Sequence, residues 1–313
     1  MAQTGTSRLA GTSRLATVLL VGLTIVWGST FFLIKDLVEH VPSLDFLGVR
    51  FLLAAVIMTA IAWRHIVRLG RPLLLRSAVL GVLYTAAQIL QTVGLETTAA
   101  SVSGFLTGVY VVLTPLIAAL AFRQRIGRST WIAVAVAAAG LVVLTLTGIS
   151  FGLGEALTLG GALAYALQII ATARWAKVEH ALGISIVQLW VIGIICIAGG
   201  APDGITLPAT GDQWASMLYM VVFASIAAMW VQTWAQAQIS ATRAAVIMTA
   251  EPVWATAYAV AFGGEGLTWR LVVGGGMILG AMYAVELLAA RRPARRDEPP
   301  TGAIDAPVRM AGE

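Results

Sequence analysis

Glu251 is embedded in the apolar run 243–263 and is followed directly by Pro252. Eight residues separate it from the start of the run and twelve from its end, so in a helix it lies roughly 12–18 Å from the two ends. A carboxylate at that depth of a bilayer costs about 3 kcal/mol, so it must face a cavity, meet a partner or carry a proton. Two readings stay open. Glu251 is either an acid that exchanges a proton or binds an amine, or a neutral hydrogen-bonded side chain that ties helices together. Pro252 removes one helix hydrogen bond and clashes with the carbonyl of Met248, so it is expected to kink or loosen the run. A freed carbonyl beside a carboxylate suits a cation or an ammonium group.

Other polar and aromatic residues inside apolar runs belong with this acid. Gln88 and Gln91 are spaced i and i+3, with Tyr84 one turn earlier on the same helical face. Trp27, Ser29 and Thr30 share the first run, Tyr110 lies in the fourth, Tyr165 and Gln168 in the sixth, and Trp230 and Trp234 in the eighth. Singly, each is accounted for by hydrogen bonds between helices or by an interfacial belt. As a set, Trp27, Gln88, Gln91, Tyr110, Tyr165 and Trp230 are expected to line a cavity for a small zwitterion or aromatic solute, with Glu251 and Pro252. Arg50, early in the second run, either snorkels to the headgroups or reaches an acid such as Glu155. Glu286 reads as interfacial.

Catalytic chemistry finds no support. His40, His65 and His180 are in or beside loops without metal-ligand spacing, and the single cysteine, Cys196, excludes an intramolecular disulfide and a cysteine-based metal site. There is no glycine-rich phosphate loop and no activated nucleophile, and nothing calls for a cofactor.

The elements that must position these residues are membrane spans. Of 313 residues, 59% are hydrophobic and 11% charged, far from the composition of a water-facing domain. Ten runs reach spanning length: 16–34, 46–63, 77–95, 98–122, 129–148, 152–173, 181–200, 213–235, 243–263 and 270–289. The net charge of +5 sits in short clusters between runs, which argues against nucleic acid as a partner. Arg8 and Arg14, Arg64 to Arg76, Arg123 to Arg128, Arg174, Lys177, Arg243 and the arginines at 291–296 fall on one side. Loops of the other side carry Lys35 and Arg270 among the acids Asp36, Glu39, Asp45, Glu96, Asp203, Asp212 and Glu265. Cytoplasmic termini are the expectation.

A shift of 140 residues lays 97–144 on 237–284 without a gap, with Ala119–Phe122 on Ala259–Phe262 and Gly140 on Gly280. Five spans per half is an odd number, so the second half enters the membrane inverted. Pro115 frees the carbonyl of Val111, which the shift places opposite Glu251. The chain thus divides into a leader at 1–15, five-helix repeats at 16–149 and 150–290, and a disordered tail at 291–313. Gly104/Gly108 and Gly276/Gly280 are small-x-x-x-small pairs, and the latter offers a face for a homodimer.

In the order Trp27-Gly-Ser-Thr30, Arg50-Phe51, Gln91–Leu95, Ala100–Gly108, Thr114-Pro115, Glu251-Pro252 and Gly264–Thr268, the chain resembles the EamA-type transporters of the drug/metabolite transporter superfamily. The resemblance covers residues 17–290. It implies export or exchange of small solutes such as amino acids, often driven by a proton gradient, through a cavity lined by the first, third, fourth, sixth, eighth and ninth helices. Arg123-Gln-Arg125 departs from the family, which often places Glu after the fourth helix as Glu265 stands after the ninth. The expectation is an all-α integral membrane protein of ten helices in two inverted repeats, not an enzyme. It would sit multi-pass in the cell (inner) membrane, exporting a small-molecule substrate by alternating access with protons as coupling ion. The rivals are an uptake permease of the same fold and, from other classes, a membrane-embedded enzyme or a receptor.

Overall fold

A computed structural model describes residues 3–121, 128–145, 152–239, 244, 247–248 and 250–290. The leader's side chains before Leu15, Arg123-Gln-Arg125, Arg243, the side chain of Glu286 and the tail 291–313 lie outside the described residues. The regular structure is entirely helical among the described residues: α1 Gln3–Val38, α2 Ser43–Val67, α3 Arg71–Thr97, α4 Ala100–Gly108, α5 Tyr110–Ala121, α6 Arg128–Thr145, α7 Leu153–Trp175, α8 Ala181–Gly200, α9 Gly211–Tyr219, α10 Ala228–Gln236, α11 Glu251–Ala261 and α12 Trp269–Ala290. A π-helical stretch, Met220–Ala227, joins α9 to α10. In hydrocarbon no water can satisfy a backbone N–H or C=O, so apolar runs of this length take up helix, which pairs those groups internally.

Seven spans among the described residues are long and apolar enough to cross a membrane, and Trp131–Gly140 and Trp269–Ala284 form shorter apolar stretches. Large side chains such as Val18, Ile61, Leu120, Ile132, Ile195 and Phe262 are exposed on the outside of the bundle. A water-facing surface of that kind would be a severe aggregation hazard, whereas lipid solvates it. The protein is an all-α integral membrane protein.

Packing is closest where glycines let backbones approach. α2 lies along α8, with a Cβ at Gly193 falling 2.9 Å from the backbone nitrogen of Leu52. α6 lies along α12, where Gly140 faces the carbonyl of Gly274. α3 lies along α7, and α11 is seated between α1 and α4. The Gly104/Gly108 pair serves that last contact: a Cβ at Gly108 would fall 2.7 Å from Pro252 Cγ. Gly276 and Gly280 behave differently, since nothing lies within 4 Å of a Cβ built at either. They face outward and pack no described helix.

Two helix interruptions position the site, one well ahead of Pro115 and one directly before Pro252. The fourth apolar run breaks at Val109, between α4 and α5, six residues ahead of Pro115, whose side chain lies outside the described residues. In the ninth run α11 begins only at Glu251, after a turn at Ala250. Pro252 therefore occupies the first turn of a helix, where its missing N–H costs no bond, and the run is interrupted beside it, in line with the expected loosening. Helix α1 also reaches back to Gln3, so the expected leader continues the first helix.

Candidate functional site

α3 supplies one wall of an internal cavity. Tyr84, Gln88 and Gln91 follow one another at helical spacing and are all buried. The Gln88 Nε2 donates to Tyr84 Oη at 3.0 Å. The Gln91 Nε2 donates to Thr107 Oγ1 of α4 at 3.2 Å, and its Oε1 accepts from Tyr165 Oη of α7 at 2.8 Å. Tyr165 in turn stacks edge-on against Tyr84 and Tyr110, with centroids 6.1 and 6.2 Å away. Tyr110, the first residue of α5 after the break, donates its hydroxyl to Glu251 Oε2 at 3.2 Å. One connected set thus runs from Thr107 through Gln91, Tyr165 and Tyr110 to Glu251, and every member comes from a different turn or helix.

The cavity has a volume of about 40 Å³ and is also lined by Trp27, Thr30, Phe31, Arg50, Gln232 and Met248. At roughly 10–15 Å³ per water it has room for about three waters. A metabolite is larger, so the walls must part to admit one.

Six of the residues expected at the site meet around this cavity: Glu251, Trp27, Gln88, Gln91, Tyr110 and Tyr165. Glu251 is only 7% exposed. Pro252 is buried behind it against Gly108 and Gly104 of α4, so it shapes the wall from outside the cavity. Trp230 is 47% exposed and points away. Two residues further along α10, Gln232 is buried on the cavity wall in its place. Two residues of helix amount to about half a turn, so Trp230 and Gln232 must face opposite ways. The amide was the better signal, because an indole can sit in lipid and an amide cannot without cost. Gln168 donates to Gln188 Oε1 at 3.1 Å and serves the contact between α7 and α8.

Arg50 departs furthest from expectation. It neither snorkels nor reaches Glu155, but is 2% exposed on the cavity wall. Its Nε donates to Ser225 Oγ at 2.8 Å and its Nη2 to the Ala224 carbonyl at 3.3 Å. Both partners belong to the π-helical stretch, whose wider register is a frequent mark of functional sites. The guanidinium also stacks over Phe51 at 4.8 Å and Phe46 at 5.7 Å.

A second polar cluster closes one end of the bundle. Glu265 accepts from the backbone N–H of Ala100 at 2.6 Å, from the N–H of Ser101, and from the Ser101 hydroxyl. These are the unpaired N–H groups at the start of α4, where helix geometry favours a carboxylate. At the same end Lys35 Nζ donates to the carbonyls of Thr98 (2.8 Å) and Leu95 (3.2 Å), and Ser43 donates to Glu96 at 2.6 Å. A cavity of about 400 Å³ lies beside Glu265, lined by Ser101, Trp269 and Arg270 among others.

A bundle of lipid-exposed helices closed around a buried, connected set of polar groups is the architecture of a membrane transporter. The sequence matches the EamA-like transporter family over residues 14–146 and again over 152–287, and the chain belongs to that family. It is 28% identical over 264 residues to an uncharacterized transporter of Archaeoglobus fulgidus, covering 84% of this chain and 83% of the relative. It is 27% identical over 280 residues to the uncharacterized inner membrane transporter YedA of Escherichia coli K12, covering 86% and 89%. A solved crystal structure of a protein with 17% identity shares the fold at a TM-score of 0.66, over 89% of this chain and 98% of the other. The protein is a multi-pass membrane transporter and not an enzyme.

Proposed function

We propose that this transporter exports a small metabolite such as an amino acid across the cell (inner) membrane by alternating access, with Glu251 exchanging the coupling proton. The observation that carries the reading is the placement of Glu251. It is a buried carboxylate that accepts a hydrogen bond from the Tyr110 hydroxyl, at a helix start on the wall of a polar cavity.

Alternating access needs two related halves that can rock against each other, and the packing supports residues 16–149 and 150–290 as inverted five-helix repeats. The second span packs on the seventh (α2 on α8) and the fifth on the tenth (α6 on α12). The third on the sixth (α3 on α7) is matched by the eighth on the first (α10 on α1), as exchange of the halves requires. The breaks at Val109 and Ala250 correspond to within one residue under the 140-residue shift. With the loop charges, an inverted second half gives cytoplasmic termini and puts the Glu265 cluster on the outer side.

The test is pH-jump-driven flux in vesicles. Glu251→Gln keeps size and hydrogen bonding but cannot exchange a proton, so gradient-driven flux should fall to the level of empty vesicles while solute exchange persists. Flux equal to wild type across the whole pH range would make Glu251 a structural tie between helices.

A further inference from the structure

Arg50 carries a demand for hydrogen bonds that the chain does not meet. A guanidinium presents five N–H donors, and it is costly to bury unless they are taken up. Here Nε and Nη2 have partners and the faces of Phe51 and Phe46 offset part of the cost, but Nη1 has none among the described residues. Among the described residues its hydrogen-bond partners are Ser225 and the Ala224 carbonyl, and no acid. The residue lines the same cavity as Glu251, together with Tyr84 and Tyr165. Gln88 Oε1, on the α3 wall of the same cavity, is likewise without a partner among the described residues.

We propose that Arg50 is an anion subsite of the cavity that receives the carboxylate of the transported solute. The planar fork of an arginine matches a carboxylate, which would satisfy Nη1 and neutralise the buried cation together. A phosphate fits less well, because it brings more charge and more acceptor oxygens while Arg50 is the one cation on the described cavity wall. A bound carboxylate leaves the rest of the solute lying along Tyr84, Tyr165 and Gln88 toward Glu251. The π-helical stretch has a role in this arrangement. Its Ser225 and Ala224 hold the guanidinium by Nε and Nη2, which leaves Nη1 free for the solute.

The proposal rests on the cavity being the transport site, and its test is separate from the flux experiment on Glu251. The full chain, purified in detergent, is titrated calorimetrically with the amino acids, with small monocarboxylates, and with the amide of each compound, which removes only the negative charge. At least one carboxylate should bind, and its amide should bind about tenfold more weakly or worse, in keeping with a charge-assisted pair. Arg50→Lys keeps a charge but loses the fork, and should erase most of that preference while still unfolding cooperatively. A purely structural arginine would lower stability in this variant and leave the preference intact. Should Arg50→Lys fail to fold, Ser225→Ala removes one holder and leaves the guanidinium, and it should retain the preference with weaker binding. Equal binding of acid and amide, or no binding by any carboxylate in a protein whose Glu251-dependent flux is intact, overturns the subsite and leaves the transport reading standing.

Discussion

Glu251 and Glu265 flank the helix α11 and have opposite surroundings. Glu265 accepts two backbone N–H groups and a serine hydroxyl at the start of α4, and binds the loop before α12 to the first half of the chain. Among the described residues Glu251 accepts a hydrogen bond from the Tyr110 hydroxyl, and it lines a cavity whose wall also carries Arg50 and Gln88, each with a buried atom that has no partner there. Buried polar groups in proteins are almost always paired, so the contrast separates a joint from a site. At the end of the bundle the Glu265 carboxylate is taken up by the chain's own donors, whereas on the cavity wall Arg50 Nη1 and Gln88 Oε1 have no partner among the described residues.

The largest effects should come from filling the two regions with bulk. Gly108→Trp drives a side chain into Pro252 and Met282, where a Cβ alone would fall 2.7 and 3.1 Å away, so the seat of α11 on α4 is lost. The expected outcome is little folded protein, read as loss of the monodisperse peak in detergent. Met248→Trp instead places its bulk at the cavity wall. That variant should fold and insert normally and lose at least about tenfold in flux, as misplacement at a binding site does. Normal flux in a well-folded Met248→Trp would move the pathway away from this cavity.

An intermediate effect is expected at the joint. Glu265→Gln keeps one acceptor oxygen but removes the charge facing the start of α4, a loss on the order of 1 kcal/mol at a partly exposed position. The thermal midpoint in detergent should fall while affinity for solute at the cavity stays unchanged. A fall in affinity with no change in midpoint would reverse the two assignments.

Much of this contrast was legible in the sequence because lipid imposes few solutions. Continuous apolar runs must become helices, and a buried acid or amide within one must face a partner or a cavity, so Glu251, Gln88 and Gln91 stood out in the sequence as a set with Tyr110. What stayed hidden depended on backbone detail. Distance from the end of a run gives the depth of Arg50 but not the face it presents, and the π-helical stretch that holds it has no composition that marks it. The turn at Val109 follows no proline, and Pro252 starts a helix instead of bending one.

The smallest expected effect separates two neighbours on α10. Trp230 is half-exposed on the outside of the bundle, and Gln232 is buried on the cavity wall. Trp230→Leu exchanges one lipid-compatible side chain for another, and transport should stay within about twofold of wild type, since the indole meets only surroundings that leucine also tolerates. Gln232→Leu removes a polar group from the cavity and should cost several-fold in flux, about 1 kcal/mol for one hydrogen-bonding group to the solute. Parallel flux assays on the two variants, each normalised to inserted protein, give the comparison directly. A larger loss for Trp230→Leu than for Gln232→Leu would mean that α10 presents its other face to the solute, and the cavity drawn around Glu251 and Arg50 would lose one of its walls.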